Sequence, residues 1–523
     1  MLLAGIEAIP VIDWLICIAY LLLVVALGIY FSRTDDTNEE FFHGGRSMHW
    51  LPVGLSLFAT TFSSNSFVGL PAEGAFGDYH QLLAILFIPF VVIPITCKWF
   101  IPKYKSWGYS SLYEYFERRF NRRLRLMASA VFMFYSAGWM ATMLLAVARV
   151  LGEVLELPSP ESGAIIIAIV GLLATGYTAL GGVKAVIWTD TIQAFALGGG
   201  MIFLLWSLIG DIDGGWIRFF EVAESQGKMK MNSTVGGWGV RNVYSAIAYV
   251  FFIYMGGQIA TYGAYQRYIT VESTKDAQFS LGVKGVFTLF SCTLFFFVGT
   301  ALYVFYHQSP EAMEVFNNYS EDAGRDRLLP HYVMTYMDGV GITGLLLAGL
   351  FAAAMSSLDS GINSMVATLV TDWYRSRDMG KGVNRKLTLI FGVAVTGIGC
   401  LMSFSTLPVF DLLLSVSGAT LGLLLSILII GLLYRKATSQ GALWGMASGL
   451  LTYAFIRLYI GEHASNEVIT SLGSFGKIRY NTWWDGMFTT CTSLLVALTV
   501  SFITYKGDAV EHSLLLRKAG PDE

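Results

Sequence analysis

An apolar stretch near the middle of the chain carries a row of polar side chains. The segment AAAMSSLDSGINS covers residues 352–364. In a helix, at about 100° per residue, its small and polar residues share one narrow face, with Asp359 at the edge of that face. That face consists of Ala353, Ser356, Ser357, Ser360, Asn363 and Ser364. Hydroxyl and carboxylate oxygens are hard ligands that suit an alkali cation, so the stripe predicts either a cation site or a small-residue interface between two helices.

Two carboxylates in apolar segments favour the cation site. Asp359 lies in the stripe, and Asp190 lies nearly two turns into another apolar helix, after a tight connection marked by Gly181, Gly182 and Lys184. A carboxylate inside a membrane is costly, so it is commonly paired or part of an ion pathway. The alternatives are a paired acid near a helix N-terminus for Asp190 and a hydrogen bond to a neighbouring helix for Asp359. Together the two residues could instead form one cation site.

The third feature is the segment SLFATTFSSNSFVGLPAEGAFG, residues 56–77. Its small polar residues and glycines are too dense for a helix that faces lipid, and they predict a discontinuous helix whose freed carbonyls face a cavity. A matching interruption is predicted five helices later, at Gly256-Gly257. Two broken helices in corresponding positions of successive five-helix blocks indicate an inverted-repeat transporter with a binding site near the membrane midplane.

The elements that position these residues are membrane-spanning helices. Hydrophobic residues make up 54% of the 523 residues and charged residues only 14%, well below the roughly 25% that is usual in soluble proteins. A span needs about 20 apolar residues in a helix. Thirteen stretches satisfy this: 11–31, 50–72, 81–101, 124–150, 162–183, 187–209, 241–265, 280–306, 335–371, 385–405, 408–434, 439–460 and 483–505. The sequence therefore predicts an all-α, polytopic membrane protein.

The distribution of basic residues predicts the orientation. Most of the 34 Lys and Arg residues fall on one set of connections if the N-terminus is outside and the C-terminus is cytoplasmic. The strongest contribution comes from residues 98–125, which we interpret as a cytoplasmic loop that anchors helix ends near anionic headgroups rather than as a nucleic-acid site. The first stretch lacks a basic flank, so we expect it to be retained. Five isolated cysteines indicate core packing rather than disulfides.

The motifs that would support other functions do not occur. The sequence contains no HExxH, GxSxG or Walker A pattern, so neither an ATP-driven pump nor a familiar intramembrane enzyme is indicated. Three classes remain at this point: a secondary transporter, an ion channel, and an intramembrane enzyme of unfamiliar type. A channel would use rings of carbonyls or charges along a continuous pore.

At these residues the sequence resembles the sodium:solute symporter family. The resemblance covers nearly the whole chain, and its specific marks are GGVKAVIWTD (181–190), SSLDSGINS (356–364), RRFNRRLR (118–125) and GLLYRKATSQGALWG (431–445). It implies a leucine-transporter-type fold with two inverted five-helix repeats in a single domain over residues 1–523. The divisions are an extra N-terminal helix (11–31), the first repeat (50–209), the second repeat (241–434), two extra C-terminal helices (439–505) and a cytoplasmic tail (506–523).

The resemblance also implies the ion ligands. A first Na⁺ would bind the carbonyls of Ala59, Phe62 and Ala353 and the hydroxyls of Ser356 and Ser357. Some family members bind a second Na⁺, which here would use Ser356, Ser360 and Asp190. Asp359 stands where several relatives have Ser, Thr or Ala, so it could strengthen that second site or change its ion.

The resemblance gives the solute less directly. The Gly-x-Pro-x-Glu pattern at Gly69, Pro71 and Glu73 is similar to the monocarboxylate, multivitamin and iodide branch, so the solute is expected to be a monocarboxylate or another small anion. A sodium/sugar or sodium/sialic-acid symporter is the alternative. The residues expected to bind the solute are Thr61, Ser66, Tyr254, Gln258 and Thr261. An anion would need a cation, but Arg149, taken as the only Arg within reach, is interpreted as extending to the interface at the outer end of its helix.

The mechanism that follows is secondary active transport. Inward Na⁺ flow would drive uptake of the solute by alternating access around a fixed site, because ion and solute each raise the affinity for the other. The expected partners are the solute, Na⁺ and the lipid bilayer, without an organic cofactor and without nucleic acid. The expected location is the plasma membrane.

Overall fold

The computed structural model describes residues 10–32, 44–179, 183–234, 238, 241–320, 322–337, 341–374, 380–457, 481–507 and 512–516. Almost all of these residues are helical, and a single isolated bridge between Met48 and Val271 is the one β contact among them. The predicted Gly181-Gly182 connection lies outside the described residues, as does most of the predicted outer connection 461–482.

The longer helices are numbered here in chain order. They are α1 (Val11–Ser32), α2 (Trp50–Thr61), α3 (Ser64–Phe76), α4 (His80–Trp107), α5 (Arg122–Val154), α6 (Pro160–Thr178), α7 (Val183–Gly210), α8 (Val243–Ile259), α9 (Tyr262–Thr270), α10 (Thr274–Tyr306), α11 (Ile342–Thr368), α12 (Gly380–Met402), α13 (Val409–Leu433), α14 (Ser439–Phe455) and α15 (Asp485–Thr504). Shorter helices occupy the connections at Glu114–Arg119, Gly215–Ser225, Pro310–Asn318 and Leu328–Tyr336.

These helices match the thirteen predicted stretches, two of which are split into pairs. In the described part of the chain, eight helices are long and apolar enough to cross a membrane alone, and α8 with α9 makes a ninth as a pair bent by 53°. One predicted boundary was wrong, because the stretch expected from residue 335 begins at Ile342. Residues up to Tyr336 belong to a separate short helix, and Gly341 starts α11 with a φ of 100°, a conformation that glycine adopts without steric cost.

The first predicted helix break is present between α2 and α3. The helix ends at Thr61, and Phe62 leaves helical geometry with φ −94° and ψ 87°. Ser63 is extended, and α3 then continues through Pro71 to Phe76. The break therefore frees backbone carbonyls at the end of α2, as the run of small polar residues predicted.

The second break is present, but the position predicted for it was wrong. Gly256 and Gly257 are helical, and the chain bends at Ala260 and Thr261 instead. Thr261 begins α9, because its hydroxyl oxygen accepts a hydrogen bond from the backbone N–H of Ala264. Gly256 serves packing: a Cβ there would lie 3.0 Å from the carbonyl oxygen of Leu421 in α13. The glycine pair thus marks a close helix contact that precedes the break.

Broken helices begin both repeats and lie at the centre of the protein. Helices α2 to α7 form the first set of five spans and α8 to α13 the second, and each set starts with a split helix. α2 packs against α7, α10 and α11, while α3 packs against α10. In the most apolar part of the span that contains α11, 89% of the residues are buried within the protein, compared with 28% in that of α12. The polar stripe of α11 therefore faces other helices.

The remaining helices pack around this core. α1 lies against α7 and α11, and α14 and α15 pair with each other beside α13. All five cysteines are free, with Cys17 and Cys292 buried, as expected for core packing.

The basic segment 98–125 does not behave only as a headgroup anchor. Arg119 is buried and donates hydrogen bonds to the carbonyls of Gly431, Tyr434, Arg435 and Ala437, at the end of α13 and just beyond it. The interpretation as a headgroup anchor is wrong for this arginine, because its guanidinium makes four hydrogen bonds to carbonyls at and just beyond a helix C-terminus. Arg125 is also buried, and its guanidinium lies 2.7 Å from a carboxylate oxygen of Asp372.

Candidate functional site

A central cavity of about 170 Å³ lies between the two broken helices. Its walls come from α2 to α5, from α8 to α11 and from α13. All five residues predicted to bind the solute line it, namely Thr61, Ser66, Tyr254, Gln258 and Thr261. The fold therefore brings together side chains that are nearly 200 positions apart in the sequence. Tyr254 ends a π-helical segment of α8, a local widening that is frequent at functional sites.

The hydroxyls of α11 face the break between α2 and α3. Ser356 Oγ lies 3.2 Å from the carbonyl oxygen of Ala59 and 3.1 Å from that of Ala353. Ser357 Oγ lies 3.0 Å from the carbonyl oxygen of Thr60 and 3.4 Å from that of Ala353. Two hydroxyls and three carbonyls thus converge in a buried place beside the cavity. Thr60 joins the predicted set, and Phe62 forms the adjacent break.

Asp190 lies next to this group, and it contacts an arginine that was not predicted from the sequence. Its Oδ2 accepts hydrogen bonds from Ser56 at 2.6 Å and from Ser360 at 3.4 Å. The guanidinium of Arg267, on α9, is 3.8 Å from the same oxygen. It also donates to the hydroxyls of Thr60 and Ser360, at 3.1 Å and 2.5 Å. Because Asp190 and Arg267 are both buried, each offsets the desolvation cost of the other.

Asp359 contacts a different helix from Asp190. Its Oδ1 accepts a hydrogen bond from the hydroxyl of Thr178, at the end of α6. This contact matches the alternative in which Asp359 joins two helices. Asp190, in contrast, accepts its hydrogen bonds from α2 and α11.

A second cation in the cavity wall was also missed. Lys284 of α10 is only 4% exposed, and its Nζ donates to Oε1 of Gln258 at 2.6 Å. Its Nζ also lies 5.7 Å from the ring centroid of Tyr254. The available signal was a lysine inside the predicted stretch 280–306, one helical turn from Thr288. Both Lys284 and Arg267 line the central cavity.

Arg149 has a different role from the one predicted. It is 7% exposed, pairs with the buried carboxylate of Asp326, and donates to the carbonyls of Ser405 and Leu407. The prediction that it extends to the interface is wrong, because its charge is neutralised inside the protein. The prediction that no other arginine lies within reach of the cavity is also wrong, since Arg267 lines it and Arg149 does not.

A group of ion pairs lies beside a neighbouring cavity. Arg241 pairs with Glu73 of α3, and its other nitrogen is 2.9 Å from Oδ1 of Asp411 at the start of α13. These residues line a second cavity of about 360 Å³, and Phe410 lines both this cavity and the central one. The triad therefore joins the first repeat to the last helix of the second repeat.

The chain is similar to known sodium-coupled transporters. A model of the sodium:solute symporter family matches residues 41–449. The sodium/sialic acid symporter NanT of Aliivibrio fischeri is 29% identical over 455 residues, which cover 85% of this chain and 88% of that protein. The sodium-coupled monocarboxylate transporter 1 of Homo sapiens is 28% identical over 481 residues, covering 87% of this chain and 74% of that protein.

Solved structures give the same result for the fold. A substrate-bound, outward-open Na⁺-coupled sialic acid symporter matches with a TM-score of 0.76 and 25% identity, covering 94% of this chain and 98% of that one. The nucleobase-cation-symport-1 family transporter Mhp1, in a closed conformation, matches with a TM-score of 0.53 and 13% identity, covering 90% of this chain and 96% of that one. These matches confirm the all-α, five-plus-five inverted-repeat fold. With its cavity between two broken helices, the chain is a multi-pass, Na⁺-coupled transporter rather than an enzyme, and it belongs to the sodium:solute symporter family.

Proposed function

We propose that this protein imports a small organic anion together with Na⁺. The observation that carries the proposal is the charge of the central cavity. Among the described residues, its lining contains Arg267 and Lys284 and no Asp or Glu. Arg267 is offset by Asp190, whereas the polar contacts of Lys284 in the described part of the chain are with the neutral amide of Gln258 and the ring of Tyr254. A buried positive charge favours an anionic solute over a neutral one.

Five oxygen atoms support the proposed first Na⁺ site. We assign the carbonyls of Ala59, Phe62 and Ala353 and the hydroxyls of Ser356 and Ser357 as its ligands. The contacts of Ser356 with the carbonyl of Ala59 and of Ser357 with the carbonyl of Thr60, between α11 and the end of α2, support this assignment. An ion there would neutralise partial negative charge on both sides, and so would favour the conformation in which α11 and α2 are close.

A second Na⁺ is proposed at Asp190 and Ser360, beside Ser356. The free oxygen of Asp190, Oδ1, is buried and has no hydrogen-bond partner among the described residues, which supports a ligand on that side. Arg267 approaches the other oxygen, so the second ion and the guanidinium would share one carboxylate. Asp359 would take part only after leaving Thr178, and we therefore propose that in this conformation it joins α11 to α6.

The orientation is part of the proposal. We place the N-terminus outside, the C-terminus in the cytoplasm and the protein in the plasma membrane, in agreement with the distribution of Lys and Arg. The triad of Glu73, Arg241 and Asp411 then lies at the outer end of the cavity. We propose that it opens and closes as the outer gate during alternating access.

The relatives include symporters for two kinds of solute, and the volume of the cavity favours the smaller solute. Sialic acid and monocarboxylates are both organic anions, and symporters for both are among the similar proteins. A cavity of about 170 Å³ is only slightly larger than the roughly 150 Å³ that holds one benzene molecule. A small monocarboxylate is therefore the primary candidate and sialic acid the second.

Uptake into proteoliposomes tests the function. We expect an inward Na⁺ gradient, but not a K⁺ gradient, to drive accumulation of a radiolabelled organic anion from a panel of pyruvate, benzoate, N-acetylneuraminate, glucose and leucine. Driven uptake of glucose or leucine alone would contradict the proposed anion. Na⁺ conductance of equal size with and without every solute would instead indicate a channel.

A further inference from the structure

We infer that Lys284 binds the carboxylate of the solute and that the solute is a monocarboxylate with a compact, apolar body. This inference rests on the proposed function and narrows it to one binding residue and one solute class. It starts from the position of Lys284 on α10, ten residues into a helix whose remaining length crosses the membrane.

The ammonium group of Lys284 has donors to spare. An ammonium carries three N–H donors, and the structure shows one hydrogen bond, to Oε1 of Gln258. Gln258 is held in this orientation because its amide nitrogen donates to the hydroxyl of Tyr268. Two donors of Lys284, a residue that lines the cavity, thus stay available, while Gln258 fixes the position of the nitrogen.

Lys284 also lacks a counter-charge. Among the described residues, no carboxylate lies within 4.0 Å of its nitrogen, whereas the buried or partly buried residues Arg149, Arg241 and Arg267 each have one. Those partners are Asp326 for Arg149, Asp411 for Arg241 and Asp190 for Arg267. A buried, unpaired charge is costly, so an incoming carboxylate gains more at Lys284 than it would at an already neutralised pair.

Thr288 supplies a second, independent indication. It lies one helical turn from Lys284 on α10 and also lines the cavity. It is 2% exposed, and its hydroxyl has no hydrogen-bond partner among the described residues. Side chains four residues apart point to the same side of a helix. A carboxylate with one oxygen on Lys284 and the other on Thr288 would satisfy both groups.

The rest of the cavity suits an apolar body. Aromatic rings line it at Phe132, Tyr135, Trp139, Tyr249 and Phe410. The rings of Tyr135 and Trp139 are almost parallel, with centroids 5.8 Å apart. The volume leaves room for a body of about one aromatic ring beside the carboxylate.

The test measures binding to purified, full-length protein in Na⁺. The probes are benzoate, its neutral analogue benzamide, and N-acetylneuraminate. Their affinities are measured by isothermal titration calorimetry and by the shift in unfolding temperature that each causes. Wild type is expected to bind benzoate at least tenfold more tightly than either of the other two. Equal affinity for benzamide would overturn the role of charge, and tighter binding of N-acetylneuraminate would overturn the apolar body.

Variants of α10 test the residue. Lys284→Met should weaken benzoate binding about 10- to 100-fold, the effect of losing a hydrogen bond to a charged group, while Lys284→Arg should retain most of it. Lys275→Met, which removes an exposed lysine on the same helix, is the matched control and should bind as wild type. Wild-type affinity in Lys284→Met would overturn the assignment.

A second variant covers the case in which Lys284→Met does not fold. Thr288→Val keeps the side-chain shape and should weaken benzoate binding about threefold to tenfold. Its control, Thr293→Val, removes a hydroxyl that donates to the carbonyl of Leu289 outside the cavity lining. Unchanged benzoate affinity in Thr288→Val would then decide against the inference.

Failure of the inference can be separated from failure of the proposed function. The rise in unfolding temperature caused by Na⁺ over K⁺, without any solute, reports the ion site alone. If wild type shows this rise and imports an anion while Lys284→Met does so equally well, only the inference fails. If no organic anion is driven by Na⁺ in wild type, the proposed function itself fails.

Discussion

At the scale of single residues, the hydroxyls of Ser356 and Ser357 carry the proposed first ion site. Each lies within 3.2 Å of a carbonyl oxygen at the end of α2. Alanine at either position removes one oxygen ligand from a small, hard cation. We expect Ser356→Ala and Ser357→Ala to raise the Na⁺ concentration for half-maximal uptake by about tenfold, roughly the effect of one hydrogen bond to a charged group.

The control for these serines lies on the same helix. Thr368→Val removes a buried hydroxyl that bonds only to the carbonyl of Ser364, so it should leave Na⁺ dependence unchanged. The measurement is initial uptake against external Na⁺ at saturating solute. If both alanine variants match wild type, the ion does not bind at these hydroxyls.

At the scale of helices, α3 and α10 pack closely enough to exclude a methyl group. A Cβ at Gly299 would lie 2.1 Å from the carbonyl oxygen of Pro71 and 2.9 Å from the backbone nitrogen of Ala75. These are backbone atoms, so the two helices themselves would have to separate. We expect Gly299→Ala to destabilise the protein by about 1–3 kcal/mol, as measured by thermal unfolding in detergent.

The same helix provides the matched control for Gly299. Nothing lies within 4 Å of a Cβ added at Gly282, which is exposed on α10. Alanine is preferred over glycine in a helix interior by about 0.5–1 kcal/mol, so Gly282→Ala should leave stability unchanged or raise it. Equal loss in both variants would show that the close approach of α3 and α10 does not set the cost.

The ion-paired triad predicts how the outer end of the cavity moves. Arg241 bridges Glu73 of α3 and Asp411 of α13. Arg241→Met should leave two partly buried carboxylates facing each other, which favours their separation and the open outer gate. Cys292 is the one cysteine in the cavity lining, and it is 3% exposed. Its reaction with a membrane-impermeant thiol reagent should become several-fold faster.

Two comparisons make this labelling experiment specific. Cys292→Ala in the Arg241→Met background gives the contribution of the other cysteines. Arg218→Met breaks an exposed pair with Glu221, in the connection before Arg241, and should not change the labelling rate. A rate in Arg241→Met that equals the wild-type rate would remove the triad from the gate.

At the scale of the whole molecule, the ion and solute sites share structural elements. The break after α2 contributes to the proposed Na⁺ site, while Thr61 and Ser66 on either side of it line the solute cavity. Binding linkage requires that Na⁺ and the solute change the affinity for each other by the same factor. The factor by which Na⁺, used in place of K⁺, raises the affinity for benzoate should therefore equal the factor by which benzoate raises the affinity for Na⁺. Independent affinities would mean that the two sites are not coupled.

Local composition was sufficient to predict much of the architecture. The long apolar runs predicted the spans. Lipid offers the backbone no hydrogen-bond partners, so each spanning segment forms a helix that satisfies its own backbone groups. The dense small polar residues at 59–66 predicted the first break, since such residues are unsuited to face lipid. The stripe on α11 predicted a buried face for the same reason, and the structure buries it. The stripe placed Ser356 and Ser357 on that face, whereas their role as ion ligands and the choice of the five cavity residues depended on the resemblance to the symporter family.

Only the tertiary structure decided which charges meet. Arg267 and Lys284 each lie near one end of a predicted stretch or just beyond it, so nothing local separates a cavity residue from an interface residue. Their roles follow from partners that are distant in sequence: Asp190 for Arg267, and the neutral Gln258 for Lys284. Likewise, Arg149 meets Asp326 and Asp359 meets Thr178 through folding alone. Composition determines that a buried charge must find a partner, whereas the packing of helices determines which partner it finds and which charge is left for the solute.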